Sequence, residues 1–97
     1  MTAQAIKDRV QTLRDAFAKL APTIADPKTK EILLQPASNS MDDIETLYLP
    51  AARNALPPDG AAMFIRMAEF QIGQAERQLK HVHDLIAQYG ADLRAIG

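Results

Sequence analysis

The stretch from Gly60 to Tyr89 decides the fold of this chain, and it reads GAAMFIRMAEFQIGQAERQLKHVHDLIAQY. It contains no proline, and as an α-helix it would span roughly 45 Å. Apolar side chains recur in it at alternating spacings of three and four residues, the rhythm of a seam that packs against other helices. The seam residues are Ile65, Ala68, Ile72, Ala75, Leu79, Val82, Ile86 and Tyr89. The pattern therefore predicts one long C-terminal helix, and Leu93 and Ile96 continue its rhythm.

A second helix is predicted at the N-terminus, from about Ala3 to Leu20. Thr2 can act as its N-cap, because a threonine hydroxyl accepts a hydrogen bond from a free N–H of the first turn. One apolar stripe follows at helical spacing, formed by Ile6, Val10, Leu13, Phe17 and Leu20. Pro22 then ends the segment, since its ring and its missing N–H do not suit a helix interior.

Prolines divide the chain between these two helices. Asp26 and Pro27 form a helix start signal, and a short helix is expected from Pro27 to about Leu34, ending before Pro36. Residues 37–40 are expected to form a polar connection. Ser40 is the expected cap of a further helix, along which the predicted stripe is Met41, Ile44, Tyr48, Ala51 and Ala55, with Leu47 beside it.

Two details of this middle region follow from local chemistry. Pro50 must kink the helix or split it in two, and the sequence leaves that choice open. The carboxylates of Asp42, Asp43 and Glu45 would lie in the first turn, where the helix dipole favours negative charge. The segment from Leu56 to Gly60 is a firm break, with Asp59 as the cap of the long helix. These elements predict an all-α fold, a three- to four-helix antiparallel bundle with a long C-terminal helix, and residues 1–97 as a single helical domain.

Composition and charge exclude several classes of protein. Eleven basic and twelve acidic residues give a net charge of −1, whereas nucleic-acid binders concentrate basic charge on one face. We therefore expect no nucleic-acid partner. We also expect no membrane partner, because the N-terminal residues have no continuous apolar run. Cysteine is absent, which rules out disulfides and thiolate chemistry. The sequence indicates a cytoplasmic protein.

One part of the long helix does not suit a simple bundle. Met63, Met67 and Phe70 lie on a face well away from the seam, Phe64 widens that face, and Gln74 extends it. A helix that is apolar over most of its circumference is normally buried on most sides. Either the middle helices of this chain cover the face, or another chain does. Methionine suits adaptable contacts, because it is unbranched and polarizable.

The candidate chemical sites are weak by comparison. His81 and His83 are two residues apart, so their rings would point about 200° apart on a helix, and a metal site needs three or four convergent ligands. The carboxylate cluster near Asp42 is explained by the helix dipole. Gly60, Gly73 and Gly90 are isolated and build no phosphate-binding loop. We expect no metal, no cofactor and no enzymatic activity.

The sequence therefore favours a non-enzymatic interaction protein that self-associates or serves as an adaptor, chaperone or accessory subunit of a larger assembly. A homo-oligomer, most simply a two-fold dimer, is the first expectation, and a different protein partner is the other. The interface residues predicted for it are Met63, Phe64, Met67, Phe70 and Gln74. The alternative function is a bundle whose Met- and Phe-rich half surrounds a pocket for a small apolar ligand.

Overall fold

The computed structural model describes residues 2–55 and 59–96, with the side chains of the second range up to Tyr89. Helices account for nearly all of this, and the described residues contain no strand. The helices are α1 (Ala3–Leu20), α2 (Pro27–Asp43), α3 (Leu49–Asn54) and α4 (Asp59–Ile96). A short 3₁₀ turn (Ala21–Thr23) follows α1, and a π-helical turn (Ile44–Tyr48) joins α2 to α3. The all-α fold predicted from the sequence is confirmed.

The first helix forms as its sequence predicts. The side chain of Thr2 accepts a hydrogen bond from the backbone N–H of Ala5 at 3.1 Å, which satisfies one free donor of the first turn. The predicted stripe is buried along its whole length, and it consists of Ile6, Val10, Leu13, Phe17 and Leu20. The α-helix ends just before Pro22, and the 3₁₀ turn leads the chain away from it.

The middle of the chain differs from the prediction. The Asp26 cap is confirmed, because its carboxylate accepts from the N–H of Thr29 at 2.8 Å. However, α2 does not stop before Pro36. It runs on to Asp43, so the predicted connection at residues 37–40 is helical and Ser40 lies inside the helix. Pro36 has no N–H to donate to the carbonyl of Ile32, four residues earlier. Because Ile32 and Pro36 are both exposed, water can form a hydrogen bond with that carbonyl instead.

Pro50 neither splits this helix nor ends it. The π-helical turn precedes it, and within that turn the N–H of Leu49 bonds the carbonyl of Ile44, five residues back. This wider turn adds room in the helix immediately before the proline ring. Residues 27–54 therefore form one continuous rod, which we call the middle rod. Its buried residues are Ala37, Met41, Ile44 and Leu49, whereas Leu47 is exposed.

The long helix begins at Asp59, one residue earlier than predicted, and runs to Ile96 with non-helical angles at Tyr89. The seam prediction holds over most of its length. Ala68, Ile72, Ala75 and Val82 are buried, and Ile65, Leu79 and Ile86 pack against the core. Tyr89 does not belong to the seam, because it is 47% exposed at the point where the helix breaks. The predicted break at residues 56–58 and the seam positions Leu93 and Ile96 lie outside the described residues or side chains.

The three rods run up, down and up. At one end of the molecule, Ala3 of α1, Ala52 of α3 and Ala61 of α4 line a common groove. Further along, Leu13 of α1 and Leu79 of α4 line another, and the side-chain amide of Gln78 donates to the carbonyl of Leu33 in α2 at 3.2 Å. Thus α1 and α4 run in the same direction and the middle rod runs opposite to both. Their apolar stripes meet in one core between the rods.

Candidate interaction surface

Three large apolar side chains of α4 stay on the outside of the bundle. Met63 is 52% exposed, Met67 is 39% exposed and Phe70 is 60% exposed. They lie one turn apart, and at 100° per residue their face points about 130° away from the centre of the buried seam. The middle rod leaves a large part of each of them uncovered. Burial of this face within the chain, one of the two outcomes open from the sequence, is therefore wrong for these three residues.

The exposed face borders a groove between α4 and the middle rod. Tyr48 contributes one wall, and the groove has a volume of about 320 Å³. Its other lining residues all come from α4, and they are Met63, Arg66, Met67, Phe70 and Gln71. The groove lies at the surface rather than inside the bundle. The structure thus provides no enclosed cavity at these residues for the small apolar ligand that the alternative function requires.

The remaining two predicted interface residues lie at the edges of this face. Phe64 is half-buried, since it lies closer to the seam than Met63 or Met67 does. Gln74 is exposed and lines a second groove of about 430 Å³, together with Pro36 and Ser40 of α2. The face that another molecule can reach is therefore centred on Met63, Met67 and Phe70.

The charges of α4 divide into paired and unpaired groups. Glu76, on the side facing α1, forms an ion pair with Arg9. Across the molecule, Arg14 of α1 donates to Asp42 at 2.9 Å and to Glu45 at 2.8 Å, and the bond to Asp42 raises the pKa of the Arg14 guanidinium.

On the outer side of α4 the pattern changes. Asp59, Arg66 and Arg77 are exposed, and the ion pairs of the described residues include none of them. Opposite charges are thus available on the same side of the helix as the apolar face.

The outer side of α4 also carries a charged stripe that was not predicted from the sequence. Asp59, Met63, Arg66, Phe70, Gly73 and Arg77 follow one another at spacings of four, three, four, three and four residues. That is the same rhythm that identified the buried seam, so the stripe could have been found from the sequence. It was overlooked because only its two apolar members, Met63 and Phe70, have the composition of a packing surface.

The residues considered as metal ligands or as acid–base groups do not form a common site among the described residues. His81 and His83 are both exposed, and among the described residues no three His, Asp or Glu side chains come together as a metal site. The cluster around Asp42 lies inside the middle rod instead of at a helix start, so the helix dipole does not explain it. Asp42 and Glu45 are explained by their ion pairs with Arg14.

Comparison with protein-family models, with curated proteins and with solved structures finds no match to this chain. Over the described residues, no helix combines the length and the apolar character needed to cross a membrane.

Proposed function

We propose that this protein is a non-enzymatic helical-bundle interaction protein that docks another protein helix on the exposed face of α4. A second copy of the chain is its simplest partner. The observation that carries the proposal is the exposure of Met63, Met67 and Phe70 on one face. The core of the molecule is complete without them, because the buried residues of all three rods already contact one another.

The chemistry of the face supports a protein partner. Two methionines and a phenylalanine offer apolar area that adapts its shape to a neighbouring helix, and aromatic residues and methionine are enriched at interfaces. Ile32, the most exposed large apolar side chain of the described residues at 71%, stands on the outer side of α2, away from this group. A single apolar side chain of that kind is ordinary on a protein surface, whereas three neighbours on one face indicate a contact.

The solution mass tests this proposal directly. Light scattering or sedimentation over a dilution series from about 1 µM to about 1 mM should show the mass rising above 10.7 kDa with concentration. A dimer is the expected end point. A mass that stays at 10.7 kDa up to the highest concentration would refute self-association.

Two variants locate the contact. Phe70→Lys and Met67→Lys place a charge on the face, and each should weaken association by at least about tenfold, because the added ammonium group would lose its hydration there. Both side chains are exposed, so the helix content measured by circular dichroism should not change. Ile32→Lys is the matched control, an apolar-to-basic change at an exposed position on a different helix. If Ile32→Lys weakens association as much as Phe70→Lys does, the contact lies elsewhere.

A further inference from the structure

The charged stripe on the outer side of α4 has a spacing that is symmetric about Ala68. Around Ala68, Arg66 and Phe70 lie two residues to either side, and Met63 and Gly73 lie five residues to either side. Asp59 and Arg77 lie nine residues to either side. All six members fall within an arc of about 80° on the outside of the helix. We infer that two copies of α4 pair antiparallel along this stripe, with the two-fold axis at the level of Ala68. This inference rests on the proposed function and centres its contact on Met63 and Phe70, with Met67 about 40° outside the arc, at the edge of the contact.

Each pair in this register is complementary. The carboxylate of Asp59 lies opposite the guanidinium of the partner copy's Arg77, and the symmetry repeats this ion pair at the other end. Neither group has an ion-pair partner among the described residues of its own chain. Arg66 lies opposite the ring of Phe70, a pairing that favours a cation–π contact. The large side chain of Met63 lies opposite Gly73, which has none.

Gly73 supports the inference independently. A glycine in a helix interior costs about 1 kcal/mol relative to alanine, so its presence calls for a reason. Within the described chain, a Cβ at Gly73 would meet only the Nη1 atom of Arg77, at the ordinary contact distance of 3.5 Å. The fold of one copy therefore does not require glycine there, whereas a second helix seated on the stripe uses the space that the missing side chain leaves.

Charge also decides the direction of pairing. A parallel pair in register would place Asp59, Arg66 and Arg77 next to their own copies, and like charges side by side are destabilising. The antiparallel pair brings opposite charges together at both ends. The contact is about 27 Å long and about 10–12 Å wide, so its footprint on each copy is roughly 300 Å², below the 800 Å² or so of a standard interface. Contacts of this size are typical of weak, transient association.

Charge reversal tests the register. Asp59→Lys places a lysine opposite Arg77, and Arg77→Glu places a glutamate opposite Asp59, so each variant alone should self-associate about tenfold more weakly than the natural chain. An equimolar mixture of the two variants restores both ion pairs, lysine with glutamate at one end and Arg77 with Asp59 at the other. The mixture should regain the affinity of the natural chain, measured by sedimentation at low ionic strength.

The controls separate this inference from the proposed function. Lys28→Glu makes the same change in net charge as Arg77→Glu, at an exposed position on α2, and should leave association unchanged. Circular dichroism verifies that each variant is folded. If the natural chain dimerises but the mixture associates no better than its components, the register is wrong and the proposed function stands. If the natural chain is monomeric throughout, both this register and self-association are overturned.

Discussion

Gly73 lies half-exposed in the middle of α4, where the space beside its backbone is open apart from the guanidinium of Arg77. Gly73→Ala should therefore stabilise the monomer by about 0.5–1 kcal/mol, because alanine restricts the unfolded chain and meets no clash in the folded one. Thermal unfolding in dilute solution should show Tm rising by about 2–8 °C. The reverse change at an exposed position of the same helix, Ala62→Gly, is the control and should lower Tm by a similar amount. An unchanged or lower Tm in Gly73→Ala would show that the glycine is needed within one copy.

The ionisation of Asp26 makes the stability of the folded protein depend on pH. Its carboxylate accepts hydrogen bonds from the hydroxyl of Thr29 at 2.7 Å and from the N–H of the same residue at 2.8 Å. Both bonds lower the pKa of Asp26 below its ordinary value of 3.8. A carboxyl whose pKa is lower in the folded state stabilises the fold at pH values above the unfolded pKa. This contribution is lost as the pH falls through the folded-state pKa.

Asp26→Asn tests that dependence, since asparagine keeps a cap oxygen and cannot ionise. The natural chain should have the higher Tm at pH 7, and the difference between the two proteins should narrow as the pH falls below 3.8. Thr29→Ala is a useful companion variant, because it removes the hydroxyl donor and leaves the N–H, and it should weaken the pH dependence without abolishing it. A difference in Tm that is constant from pH 7 to pH 2 would contradict this role of the carboxylate.

At the scale of the helix, the middle rod shows burial overriding a local stop signal. Pro36 interrupts the hydrogen bonding of α2, yet the helix continues because Ala37, Met41 and Ile44 beyond it are buried against the other rods. Pro36→Ala should restore the missing bond to the Ile32 carbonyl and raise the free energy of unfolding by about 1–2 kcal/mol. This is less than the roughly 3 kcal/mol cost of an interior proline, since proline also restricts the unfolded chain. Urea denaturation measures the change, and a loss of stability would mean that the fold depends on the proline.

The elements that sequence could predict were those in which local pattern and burial agree. The stripe of α1 and most of the α4 seam were identified from spacing, because a helix that packs on one side must repeat its apolar residues at that spacing. The middle rod was not predicted, because Pro36 and Pro50 are local signals for a helix end. Only the packing of Met41 and Ile44 shows that the helix continues past both prolines. For the same reason, the position of the candidate surface was predicted but its exposure was not. Spacing placed Met63 and Phe70 on one face, but their exposure depended on the path of the middle rod.

At the scale of the whole molecule, the inferred dimer has a shape that differs from other dimers of the same mass. One copy measures 53 × 19 × 16 Å, and α4 supplies its length. The two-fold axis at Ala68 lies in the first third of α4, so the two helices overlap only along their N-terminal parts. Ala68 is nine residues beyond the start of α4, about 14 Å along the helix. The far end of a copy 53 Å long is then about 40 Å from the axis, and the far ends of the dimer should lie roughly 80 Å apart.

Small-angle X-ray scattering distinguishes this staggered dimer from one in which the helices overlap fully. As the protein concentration rises, the maximum dimension should increase from about the length of one copy, 53 Å, toward roughly 80 Å while the mass doubles. Phe70→Lys should keep the dimension of one copy at the same concentrations, because it places a lysine opposite Arg66 of the partner copy without altering the bundle. A doubled mass with a maximum dimension near that of one copy would place the two-fold axis close to the middle of α4. The ion pairs between Asp59 and Arg77 could not then form, because those residues would no longer lie opposite each other.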